Sequence, residues 1–244
     1  MIRFFFIVSL VIGLNQTLKA QQLIFSGKIT YERKENIHKH FTEADSWTEA
    51  FLKTLPKYKT DMFELHFNLS QTAYKISIEE EASIPGWIKP ANTNLVWQNY
   101  KDTQVMAVKQ VFENNYIIQD SLPIYDWKYL GEFREIAGYN CRKAATILFD
   151  SVYVIAFYTE QIPISGGPES FNGLPGMILG IAIPRMNITY FATKVEPQTL
   201  PGNIFIVPKI KGKKIKQAAF REEISKGLKD WGKSGTRLVW KSSL

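Results

Sequence analysis

The feature that most constrains this chain is an alternation of apolar and polar residues that recurs along much of its length. Leu23, Phe25, Gly27, Ile29 and Tyr31 fall on one face of an extended segment, with Ser26, Lys28, Thr30 and Glu32 on the other. A period of two marks a half-buried β-strand. Phe63, Leu65, Phe67 and Leu69 repeat the pattern. It resumes after the polar Ser70-Gln71 in Tyr74, Ile76 and Ile78, which predicts a hairpin. Further strands are predicted at Leu95–Asn99, Val105–Phe112, Tyr116–Gln119, Arg142–Phe149, Ser151–Thr159, Met177–Ile183 and Asn187–Val195, with a short one at Ile204–Val207. Polar residues hold alternate positions in these runs, so the strands are antiparallel with one wet face.

Helical spacing is confined to two places. Ser46 and Glu49 have capping-box spacing, Trp47, Ala50, Phe51 and Leu55 recur at helical intervals, and Pro56 closes the segment. Near the C-terminus, Phe220, Ile224, Leu228 and Trp231 share a helical face within Ile215–Trp231, with Gly227 a weak point. Roughly nine or ten strands with two helices predict a mainly β (α+β) fold: an antiparallel curved sheet or half-barrel with one or two packed helices. No repeat, linker or composition shift marks a second domain, so residues 21–244 are expected to form one β-rich domain.

Residues 1–20 follow a different logic. Arg3 precedes an uncharged run from Phe4 to Leu14, and small Ala20 precedes Gln21. That order describes a secretory signal peptide, with cleavage expected after Ala20. The run is too short for a membrane span, which needs about 20 residues. No other stretch is long and apolar enough, so no transmembrane span is expected in the mature chain. The expected location is the periplasm, the outer-membrane surface or the extracellular space. The net charge of +7 then points to anionic lipid, polysaccharide or a membrane surface and not to nucleic acid. Cys141 is the only cysteine, which excludes a disulfide framework and favours a buried thiol.

Catalysis needs a nucleophile, a base within reach and a group that orients the base. His38, His40 and His66 are the only histidines; all three are expected at the solvent surface, and none adjoins Cys141 or Ser165 in sequence. No nucleophile elbow, metal-ligand spacing or cofactor motif is present, so no catalytic residue, metal or cofactor is expected. The Gly/Pro-rich stretch Ser165–Gly176 stands apart. Asn172-Gly173 is a tight-turn dipeptide, and Leu174-Pro175-Gly176 reads as a type II turn with positive φ at Gly176. Ser165-Gly166-Gly167-Pro168 makes a second corner. Two such corners fold the chain back on the sheet with Leu174 pinned inward, and glycine corners also expose backbone N–H groups able to hold an anion. Candidate binding residues are therefore Ser165, Gly166, Gly167, Pro168, Asn172, Gly173, Leu174, Pro175, Gly176 and Met177.

The run Gly173-Leu174-Pro175-Gly176-Met177-Ile178 resembles the signature of the GLPGLI family of exported Bacteroidetes proteins. Its approach through Gly138–Ala144 and Ala156–Thr159, and the opening strand Gly27–Glu32, are also similar. Met177 replaces a leucine, and Gly180 stands where the resemblance leads one to expect an acidic residue. The resemblance implies an envelope or secreted location and carries no activity with it. The expected function is a non-enzymatic module binding a small ligand or an envelope partner; the alternative is a hydrolase assembled around Cys141 or Ser165.

Overall fold

Among the residues described by a computed structural model (23–41, 46–80, 84–86 and 91–244), twelve strands join in one open sheet. The leader read at residues 1–20 lies outside them. The strands are β1 (Gly27–Asn36), β2 (Tyr58–Phe67), β3 (Gln71–Ile78), β4 (Leu95–Asn99), β5 (Gln104–Val111), β6 (Asn114–Ser121), β7 (Lys128–Ile136), β8 (Tyr139–Leu148), β9 (Val152–Thr159), β10 (Met177–Ile183), β11 (Ile188–Pro197) and β12 (Lys213–Ile215). Their order across the sheet is β12-β6-β5-β4-β3-β2-β1-β11-β10-β9-β8-β7. Every pairing is antiparallel except the short parallel contact of β12 with β6. The mainly β, curved-sheet expectation is met.

Connectivity dictates the curl. Residues 122–127 carry the chain from β6, beside one end of the sheet, to β7 at the opposite edge. So short a stretch reaches at most about 25 Å, at 3.3–3.6 Å per residue. Twelve strands laid flat would be far wider, at nearly 5 Å per strand, so the two ends must bend toward each other. Register shifts at Thr30/Tyr31, Met62/Phe63 and Ile178/Gly180 supply local bends of the kind β-bulges give. The product is a half-barrel whose ends are bridged by one short segment.

The bowl is filled from within. The segment between β9 and β10 enters it, as does the C-terminal hairpin of α2 (Gln217–Gly227) and α3 (Gly232–Ser242). Phe220 and Ile224 of α2, with Leu228 after it and Leu238 and Val239 of α3, are buried against Tyr31, Phe63, Tyr74 and Ile118. A further helix, α1 (Ser46–Leu52), follows β1, and Ile37, Leu55 and Ile84 form a small separate cluster nearby.

Several elements depart from the sequence reading. β7 was not expected, because an edge strand with nearly every side chain exposed shows no alternation. The strand expected at Ile204–Val207 is instead a 3-10 turn, Gly202–Phe205. The helix expected up to Trp231 stops at Gly227, so Trp231 lies on a following turn, exposed and tilted toward Phe112 at 6.0 Å between ring centroids. α3 lies beyond the helical pattern that was expected to end at Trp231. Gly232 has φ +54°, which lets the chain reverse, and a Cβ on Gly235 would sit 2.4 Å from the Leu228 carbonyl oxygen. Leu23 and Phe25 are half exposed, since β1 begins only at Gly27. At Gly180 any side chain would crowd its neighbours: a Cβ would meet the Phe191 ring at 2.8 Å and the end of the Ile136 side chain at 2.9 Å, so these would have to shift.

Candidate functional site

The inward face of β1 changes character along its length, from Ile29 and Tyr31 to Arg33 and Glu35. β2 runs the other way, with Lys59 and Asp61 giving way to Phe63, Leu65 and Phe67. Antiparallel register therefore sets Arg33 opposite Asp61 and Glu35 opposite Lys59. Opposite charges at facing positions support a sheet, and these four are at most 1% exposed. Arg33 Nη2 donates to Asp61 Oδ2 at 2.6 Å and also to Asn92, and its guanidinium lies 4.7 Å over the Phe63 ring. Lys59 pairs with Asp61. Lys241 of α3 holds both Glu35 carboxylate oxygens at 2.8 Å, and His40 Nε2 lies 2.8 Å from Glu35 Oε1. Burial alone would raise the Glu35 pKa, but the charges of Lys241 and His40 outweigh it and hold the carboxyl well below its usual range. Asp61 is held down likewise: burial opposes its charge, and Arg33 and Lys59 more than offset that.

The motif loop plugs the same bowl. Ser165 is half-buried and its Oγ accepts the Gly173 N–H at 2.7 Å. Gly166, Gly167, Pro168, Asn172, Leu174, Gly176 and Met177 are buried, while Gly173 and Pro175 reach solvent. Several of the loop's N–H groups bond inside the molecule: Gly166 donates to Ile164, Phe171 to Pro168, Met177 to Ile162 and Ile178 to Gly166. Trp127 Nε1 donates to the Asn172 carbonyl at 2.8 Å. Gly173 has φ +92°, as a tight turn requires, but Gly176 is not in the left-handed region, which corrects the expected type II turn. Glycine is needed at 176 for a different reason, because a Cβ there would lie 2.1 Å from the Thr159 carbonyl oxygen. A Cβ on Gly166 would likewise meet the Tyr100 hydroxyl at 2.6 Å.

Sequence reasoning passed over Glu169, the one charged residue in this Gly/Pro loop. It is 1% exposed, adopts φ +54°, and accepts hydrogen bonds from Asn94 Nδ2 at 2.6 Å and the Tyr190 hydroxyl at 3.1 Å. Its neighbour Ser170 donates to the Leu244 carbonyl at 2.7 Å and accepts from Gln98 Nε2 at 2.7 Å. A left-handed non-glycine residue stores strain, and persists where its surroundings fix it. Here the fixing groups come from β11 and the approach to β4.

The hydrolase alternative loses its cysteine form. Cys141 is fully buried, and burial pushes its pKa up to about 12, so the nucleophilic thiolate is suppressed. Ser165 Oγ meets a backbone N–H, with no histidine or carboxylate bonded to it among the described residues. The expectation of three surface histidines is also corrected. His66 is buried, which lowers its pKa, His38 Nε2 lies 3.0 Å from the Leu55 carbonyl, and His40 serves Glu35. Among the described residues no His, Cys, Asp and Glu group is arranged to hold a metal.

Two concavities stand out. A groove of about 700 Å³ follows the rim of β3–β6 and is lined largely by polar side chains such as Gln71, Asn99 and Gln104. The second, about 460 Å³, lies in the seam where the sheet fails to close. Val105, Ala107 and Ile118 wall one side of it, Leu148 and Phe149 the other, and Leu122–Tyr125 belong to the bridging segment. Ser170 of the motif loop and Leu244 complete it. Lys109 also lines this seam cavity and is 1% exposed; its Nζ donates to the Ser242 carbonyl at 3.0 Å. Burial lowers its pKa to about 8, partly opposed by the charge of Glu169. Asp120, at the cavity edge, is committed elsewhere: it accepts the Gln217 N–H at 3.0 Å and pairs with Lys216 at 3.6 Å. Lys109 and the seam left no sequence signal, since β5 reads as an ordinary alternating strand.

The architecture places the chain among β-rich folds already solved. It is similar to PNGF-II in two crystal forms. The first superposes with a TM-score of 0.53 at 17% identity over 89% of this chain, the second with 0.52 at 16% over 89%. This chain spans only a third of PNGF-II, 33% and 34% of its length, and such identities speak to fold alone. An uncharacterized conserved protein from Thermus thermophilus aligns with a TM-score of 0.39 at 6% identity, over 78% of this chain and 91% of that one. Within the chain, residues 147–180 match the model of a Bacteroidetes-associated family described as "Protein of unknown function (Porph_ging)". The matched stretch runs from the end of β8 through the motif loop into β10. No curated protein matches the chain.

Two measurements follow. Gly176→Ala should destabilise by about 1–3 kcal/mol or more through forced overpacking against Thr159, read from urea denaturation midpoints; an unchanged midpoint would show that the approach is not tight. A lysine whose folded pKa lies near 8, below its unfolded value near 10.4, binds fewer protons folded than unfolded between those limits. Its penalty is therefore complete below pH 8 and is relieved as pH rises. Between pH 8 and 10, stability of the parent minus that of Lys109→Met should climb; a flat difference would refute the assignment.

Proposed function

We propose that this chain is an exported, non-enzymatic binding module of the GLPGLI type, and that its ligand site is the seam of the half-barrel. Export rests on the leader from Arg3 to Ala20, and the family reading on the Gly173–Ile178 run within the matched stretch. The observation that carries the site is the seam cavity itself. It is mainly apolar, near 460 Å³, and built from both ends of the sheet, the bridging segment and the motif loop. Ligand pockets fall within roughly 300–1,000 Å³ and combine apolar walls with a few polar groups. The ten motif residues named from sequence enter this reading as the plug that holds Ser170 in the cavity wall, with Ser165, Gly173 and Pro175 the part of that plug reaching the surface. No catalytic role is assigned, because neither Cys141 nor Ser165 has an activating base bonded to it among the described residues.

The test uses the full chain expressed with its leader in a Gram-negative host. The periplasmic protein should begin at Gln21 and enhance the fluorescence of the neutral probe N-phenyl-1-naphthylamine at one saturable site. Ala107→Leu, which extends a side chain into the cavity, should weaken that binding several-fold while the protein stays folded. A full-length cytosolic product contradicts export, and failure to bind the probe contradicts the seam as a site.

A further inference from the structure

Bookkeeping of the buried charges singles out one residue. Arg33 and Lys59 share Asp61, and Lys241 holds Glu35. Glu169 directs its oxygens to Asn94 and Tyr190. Lys109 alone among these buried cations has no carboxylate in an ion pair among the described residues, and a single backbone carbonyl accepts from it. An ammonium has three donors. A charge withdrawn from water without a counter-charge is costly, and the usual remedies are neutralisation or a partner.

The residue with that deficit lines the seam cavity, whose walls are mainly apolar, with Asp120, Ser121, Ser170, Gln217, Arg221 and Ser243 as its other polar members. We propose that the seam binds a small amphipathic carboxylate, with its head against Lys109 and its tail against Val105, Ala107, Ile118 and Leu148. This rests on the reading of the seam as the ligand site and adds the class of ligand. A monoanion balances one buried cation, whereas a phosphate dianion leaves an uncompensated charge in the same enclosure. Arg221 offers no second clamp in the interior: it is exposed and lies over the Phe149 ring at 5.3 Å. Asp120 does not compete for Lys109, since Gln217, Ser121 and Lys216 occupy its carboxylate. Burial lowers the Lys109 pKa and the charge of Glu169, which makes no ion pair with it, only partly opposes this, in agreement with an incompletely compensated ammonium.

The experiment is displacement of N-phenyl-1-naphthylamine from the full mature chain at pH 7 by decanoate and by decan-1-ol, two ligands of equal tail length. Decanoate should displace at about tenfold lower concentration, equivalent to about 1.4 kcal/mol. Lys109→Met should abolish that preference while leaving decan-1-ol displacement unchanged, and Lys109→Arg should retain part of it. Equal displacement by both ligands in the parent overturns the carboxylate assignment and leaves the seam site standing. A preference that survives in Lys109→Met overturns the role of Lys109. Absence of probe binding in the parent overturns the seam site and this inference together.

Discussion

Four charged side chains buried on adjacent strands govern how the rest of the molecule is put together. Removing carboxylates, an ammonium and a guanidinium from water is costly, and the cost is offset only where each meets a partner in good geometry. Antiparallel register brings Arg33 opposite Asp61 and Glu35 opposite Lys59, but β1 and β2 alone do not complete the set. Glu35 also takes Lys241, 206 residues away, and Arg33 takes Asn92. The sheet's charged floor is therefore satisfied only when α3 is seated in the bowl. Curling of the sheet and docking of the C-terminal hairpin become parts of one event.

The motif loop is fixed by the same logic of close approach. Its glycines at 166 and 176 leave room for the Tyr100 hydroxyl and the Thr159 carbonyl, and several of its N–H groups bond inside the molecule. Glu169 anchors the centre through Asn94 and Tyr190, which come from opposite sides of β1 in the sheet. Ser170 then reaches Leu244, so the plug and the end of α3 lie together. What these elements leave unfilled is the seam, bordered by the two sheet ends and by Lys109.

Much of the fold was legible because alternation is a local signal. Leu95–Asn99 and Met177–Ile183 are strands with the bounds the pattern gave, and the β2–β3 hairpin is where the polar Ser70-Gln71 put it. The misses share one cause. Arg33, Glu35, Lys59 and Asp61 look like solvated strand ends, and only pairing across strands makes them core residues. β7 carries no buried stripe, and α3 opens on two glycines, Gly232 with its positive φ and Gly235 in close contact with Leu228. At the motif, sequence located the loop and the inward Leu174 but assigned positive φ to Gly176, where close packing is the constraint, as it is at Gly166 and Gly167. Lys109 was invisible because charge deficit is a property of the whole interior.

The most direct measurement of this account is a double-mutant cycle on Glu35 and Lys241 by urea denaturation. Glu35→Gln and Lys241→Met should each cost about 3–5 kcal/mol, since each strands a buried charge. The double variant should cost far less than the total of the two. Strictly additive losses would show that the pair does not couple strand β1 to α3, and the buried ion pairs would lose their place as the organising constraint.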